Sequence, residues 1–211
     1  MESWTVSIVW DEYEPVVSSP TGQLETLPRV EARRLFEQCM ESVPARLEAL
    51  RRLLAANGVE LTSSDASIRE LNEWFITHVE AHPDLPGRLH PSWESICHDV
   101  ALFLGEAMIE RHSNLRWEFF IWGRTNVAYQ RHVIMGFGTE DPKRHTNLDI
   151  DRSVTAYAHR IVESGGSVST SGSVCIRGTE IDVDLIAAQH RMRDIDPDAF
   201  LRWLRSAARR A

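Results

Sequence analysis

The sequence predicts an α+β fold, an antiparallel sheet including a 115–122/127–137 hairpin, packed by several helices. Three observations predict it. From Pro91 to about Asn114 the chain is apolar around most of a helical circumference, which marks a buried central helix. The runs LRWEFFIW (115–122) and VAYQRHVIMGF (127–137) are rich in aromatic and β-branched residues, and a few turn-like residues around Gly123 separate them. Elsewhere apolar residues recur mainly at helical spacing.

The elements follow in order. Residues 4–10 read as a strand. Residues 11–28 hold Pro15, Pro20, Gly22 and Pro28 among four acids and read as a long surface loop. A helix is expected from Val30, with Leu35, Cys39 and Met40 on its inner face. Pro44 should bend or split it. Its second piece carries Leu47, Leu50, Leu53 and Leu54 and stops at Asn57-Gly58. Ser67 and Glu70 read as a capping box opening a helix that buries Leu71, Trp74, Phe75 and Val79. His82-Pro83 closes it.

After the hairpin, Asp149 or Asp151 can cap a helix to about Val162, with Val154, Ala158 and Ile161 on one face. The run GGSVSTSG (165–172) is low in complexity and precedes a short strand at 173–176. Residues 179–190 read as helix. Asp196-Pro197 reads as the start of a last helix that buries Phe200, Trp203 and Leu204.

The 211 residues are expected to form one domain, 1–211, with 43% hydrophobic and 26% charged content. The three cysteines, Cys39, Cys97 and Cys175, are odd in number and lack CxxC spacing, so free thiols and a cytoplasmic setting are expected. The first residues lack the basic-then-apolar pattern of a signal peptide. No run approaches the ~20 apolar residues of a membrane span. The net charge of −8 suits solubility or a protein partner with a basic surface, and it disfavours nucleic acid.

The candidate binding residues lie on the central helix and the hairpin. Asp99, Glu106 and Glu110 fall within about 40° of one another at 100° per residue, flanked by apolar residues. Acids on such a helix must be paired, neutralised or put to use. Gly105, in mid-helix, suggests that another backbone approaches there. Trp117 and Tyr129 belong to the aromatic cluster of the hairpin, whose two apolar faces are either both covered or partly met by a partner.

Metal and cofactor motifs are lacking. His78 and His82 have i, i+4 spacing, but Pro83 ends the helix and no third ligand has a recognisable spacing. The nine histidines are therefore expected to be solvated or hydrogen-bonded. Cys97 and His98 are neighbours whose side chains point about 100° apart, so a Cys–His pair would have to be assembled from distant positions. GGSVSTSG lacks the Lys-Ser/Thr of a phosphate loop.

A helix bearing the Gly-Glu pair Gly105-Glu106, followed by a strand bearing Trp117, resembles small bacterial domains of unknown function, some of them grouped with toxin-immunity proteins. The resemblance spans Trp93 to Phe137. It implies a bacterial α+β protein that binds rather than catalyses. The expected function is thus a non-catalytic binding protein, immunity-type or inhibitory, recognising another protein through an acidic surface. The alternative is an enzyme with Asp99 and Glu106 as paired carboxylates in a pocket.

Overall fold

The computed structural model describes residues 8–16, 24–138, 145–165, 173–176, 179–182 and 195–211, and for the segments 173–176 and 179–182 the backbone alone. The fold is α+β. Helices α1 (Arg29–Ala56), α2 (Asp65–His78), α3 (Pro91–Arg111), α4 (Ile150–Gly165) and α5 (Ala199–Ala208) accompany strands β1 (Arg116–Phe119), β2 (His132–Met135), β3 (Ser173–Ile176) and β4 (Thr179–Asp182). A single 3-10 turn at Leu24–Thr26 precedes α1.

Helix α3 is the axis of the core, as its composition requires. Trp93, Ile96, Cys97, Val100, Ala101, Leu102, Leu104 and Met108 have no exposed surface. It packs against α4, α1 and α5. Pro91 occupies its first turn, where the missing N–H costs nothing, and His90 accepts the Ser92 amide. No helix among the described residues is long and apolar enough to cross a membrane.

Helix α1 runs unbroken through Pro44, against the expected split. Proline removes one donor, but the leucine stripe after it (Leu47, Leu50, Leu53, Leu54) is buried, and tertiary packing outweighs that local loss. The stop at Asn57-Gly58 is a Schellman arrangement. Gly58 takes φ +79°, Gly58 N–H donates to Ala55 O, and Val59 N–H donates to Leu54 O. The start of α2 lies before the expected box: Ser64 is the cap, accepting from Ser67 N–H, and Ser67 Oγ instead donates to Glu60 O. Asp149, not Asp151, caps α4, since its Oδ1 accepts the Arg152 amide. Helix α5 begins at Ala199, after Asp198, later than Asp196-Pro197 suggested.

The first hairpin pairs antiparallel, Arg116 with Met135 through Phe119 with His132, and is shorter than the expected 115–122/127–137. Its ladder stops where Gln130 takes φ +62°. Period-two alternation turns His132 and Ile134 one way and Val133 and Met135 the other. All four are buried. Ile134 joins the main core, while Val133, Met135, Phe120 and Ala128 form a second small cluster with Trp122. Both faces of β2 are therefore covered.

Residues 8–10 are not strand; the rest of the 4–10 expectation lies outside the described residues. The 173–176 strand is present and pairs with 179–182, so the helix expected at 179–190 does not begin there. The remainder of that segment, like 166–172, lies outside the described residues.

Candidate functional site

Two polar clusters join α1 to α3, and they differ in character. On α1, Cys39, Ser42 and Arg46 are three and four residues apart and share a face. On α3, His98 and Asp99 follow Ser95 by three and four residues, so each can reach α1 at a different point.

The first cluster is closed. Asp99 is fully buried and receives Arg46 in a bidentate grip, Nε to Oδ1 at 2.9 Å and an NH2 to Oδ2 at 2.6 Å. Tyr13 Oη–H donates to Asp99 Oδ2 at 2.6 Å, and Ser95 Oγ accepts from Val16 N–H. Burial, with the Asp99 charge behind it, pushes the Tyr13 phenol well above its ordinary value. Every group has a partner, so the cluster locks residues 8–16 onto the helices.

The second cluster is open. His98 Nε2 lies 3.7 Å from Cys39 Sγ, and His98 Nδ1 lies 3.2 Å from Asp151 Oδ1. A thiol, an imidazole and a carboxylate thus stand in line, brought from α1, α3 and the first turn of α4. Arg131 clamps the carboxylate end, with Nε on Asp149 Oδ2 at 2.6 Å and an NH2 on Asp151 Oδ2 at 3.0 Å. His132, at the start of β2, meets the His98 ring edge-on, centroids 5.4 Å apart. Its buried Nε2 has no hydrogen-bond partner among the described residues and lies 4.0 Å from Asp151 Oδ2.

The line opens on a cavity of about 200 Å³. Leu24, Ala32, Leu35 and Phe36 supply apolar wall, and Cys39, Ser42, Ser95, His98, Gln130 and His132 supply polar groups. Gln130 spans the top: from its left-handed backbone its Nε2 reaches the carbonyls of Leu24 and Leu27. A second, more open hollow, lined by Glu25, Arg29, Arg124 and Tyr129 among others, gathers no comparable set of reactive groups.

Burial alone would depress His98, but its bonds to Asp151 and Cys39 prevail and push it up to about 10. Burial holds His132 down at about 4. Burial would raise Asp151, yet the His98 hydrogen bond and the nearby cations hold it well below the usual carboxylate range.

These shifts set a pH optimum for stability. An unfolded histidine titrates near ~6.5. The folded chain keeps a proton on His98 that the unfolded chain sheds as pH rises from ~6.5 toward 10, so stability falls there. Between ~6.5 and 4 the unfolded chain gains a proton that folded His132 refuses, so stability falls on that side as well. With chelator present, the melting temperature should peak near pH ~6.5. The alkaline slope should flatten in His98→Gln and the acid slope in His132→Gln. A flat wild-type profile between pH 5 and 9 would contradict this assignment of charges.

The residues singled out from sequence are dispersed. Asp99 serves the closed cluster. Glu106 Oε1 accepts the Trp117 indole N–H at 2.8 Å. Asp99 and Glu106 thus have separate partners, Arg46 and Tyr13 for the one and Trp117 for the other, and neither lines the two cavities described above. Glu110 is exposed, and Tyr129 borders the second hollow. Gly105 does permit a close approach, by the Trp117 ring rather than by a backbone, and a Cβ there would overlap it.

Sequence reasoning did not single out Cys39, His98, His132 and Asp151 as a site. The signal within reach was the i, i+3, i+7 spacing of Cys39, Ser42 and Arg46 on an otherwise apolar face. No protein-family model, curated protein or solved structure matches the chain.

Proposed function

We propose that the chain is a thiol-dependent enzyme in which Cys39 attacks a small, largely apolar acyl substrate held in the cavity. The observation that carries this reading is the in-line Cys39 Sγ, His98 Nε2, His98 Nδ1 and Asp151 Oδ1 arrangement, with Cys39 and His98 on the cavity wall and Asp151 behind His98. The thiolate is the reactive form of cysteine. With His98 already protonated, Cys39 attacks as the thiolate, and a carbon–sulfur bond forms at the acyl carbon while the carbonyl π pair moves to oxygen. The leaving group departs with the proton from His98. Water, deprotonated by the now neutral His98, then cleaves the thioester and restores the thiolate beside protonated His98. Asp151 orients the ring and balances its charge. A liquid-like share of ~30 Å³ per small group gives the cavity room for roughly six or seven heavy atoms, a short acyl or aryl group.

The test is covalent labelling under chelating conditions. Iodoacetamide should label Cys39 well ahead of fully buried Cys97, and p-nitrophenyl butyrate should leave one butyryl adduct on Cys39. His98→Ala should slow acylation about 10²–10⁴-fold, the range for a lost general acid–base. An adduct that persists in Cys39→Ala would end the proposal.

The second reading is the non-catalytic immunity-type or inhibitory binder. Its support is the net charge of −8 and the exposure of Glu110. Its partner would present a basic surface. A Cys39→Ala variant that keeps full biological activity, while Glu110→Lys loses it, would favour the binder.

A further inference from the structure

We propose that His98, His132 and Asp151 form a three-ligand site for a zinc-like divalent cation, which displaces the thiol relay when bound. The donors come from α3, β2 and α4, and one ligand atom from each lies within 4.8 Å of the others. His98 Nδ1 is 3.2 Å from Asp151 Oδ1, and His132 Nε2 is 4.0 Å from Asp151 Oδ2. Tetrahedral zinc with ~2.1 Å bonds sets its donors ~3.4 Å apart, so one pair already fits and the widest must close by roughly an ångström. Two imidazoles and one carboxylate with an open fourth position is a common zinc set.

His132 supplies the independent observation. Its side chain is more than nine-tenths buried, and Nε2, aimed at Asp151, has no hydrogen-bond partner among the described residues. Buried polar atoms are rarely left so, and a bound ion is one way to satisfy them. The thiol relay makes no use of His132. The outer support is also in place: Arg131 orients Asp151, and Asp149 offsets the Arg131 charge. Cys39 faces the other nitrogen of His98 and is therefore not a ligand. Nδ1 of His98 can address Asp151 or an ion, not both in the present geometry, so the cation would switch the relay off.

The test is zinc titration of the chelator-stripped full chain, in competition with a fluorescent zinc indicator. Wild type and Cys39→Ser should each take one equivalent and gain melting temperature with zinc. His132→Gln should bind at least tenfold more weakly and lose the zinc-dependent gain. Unchanged zinc binding in His132→Gln would place the ion on other histidines and overturn the site. If His132→Gln does not fold, cobalt substitution of wild type decides. Tetrahedral bands without thiolate charge transfer are expected; a thiolate band, or no bands, would overturn it. Labelling of Cys39 without added metal reports on the relay separately, so either proposal can fail alone.

Discussion

Asp99→Ala is expected to cost about 3–5 kcal/mol, the range for breaking a buried ion pair from one side. Asp99 is fully buried and Arg46 is nearly so, at 12% side-chain exposure. Without the carboxylate, the guanidinium and the Tyr13 hydroxyl lose their shared acceptor and Arg46 becomes a largely buried, unpaired charge. The contrast is Glu106→Gln. Its amide oxygen can still accept the Trp117 indole N–H, so a loss under ~1 kcal/mol is expected. Arg46→Met combined with Asp99→Leu should recover part of the Asp99→Ala loss, because an apolar pair carries no desolvation penalty. Denaturant melts at neutral pH measure all three. An Asp99→Ala loss below ~1 kcal/mol would mean that water screens the pair.

Gly136→Ala is the second large effect, at about 2–6 kcal/mol. Gly136 follows β2 with φ +104°, a region that costs an L-residue ~1–3 kcal/mol. A Cβ there would also overlap the backbone carbonyl oxygen of Asn114, and overpacking typically costs another ~1–3 kcal/mol. The clash is with backbone, which cannot rotate away. Asn114 Nδ2 also donates to Gly136 O and to Ala211 O, so the strain would reach the chain end packed beside the hairpin. Gly58→Ala is the control: φ is +79° but nothing lies within 4 Å of the added Cβ. It should pay only the backbone cost of ~1–2 kcal/mol. Equal losses for the two glycines would show that the Asn114 contact is soft.

What was legible in the sequence was what local periodicity encodes. The continuous apolar circumference of 91–111 required a central helix, and α3 is one. The aromatic and β-branched runs flanking Gly123 required a hairpin, and β1 pairs with β2. Asn57-Gly58 required a helix stop, because Gly58 can take the left-handed conformation that a Schellman end needs. The sequence also posed the right question about Asp99, since a carboxylate on an apolar helix needs a partner.

What only the tertiary structure decided was which distant residues meet. Arg46, the partner of Asp99, is 53 positions away. Cys39 and His98 are 59 apart, and His98 and Asp151 are 53 apart. Each lies on an element whose own pattern explains it as a core thiol, a hydrogen-bonded histidine or a residue of the first helical turn. Periodicity places a side chain on a face of its own helix or strand but carries no record of which face of another element lies opposite. Packing supplied that record when α1, α4 and β2 closed around α3. It carried α1 through Pro44, and it brought a thiol and two imidazoles to the wall of one cavity with a carboxylate behind them.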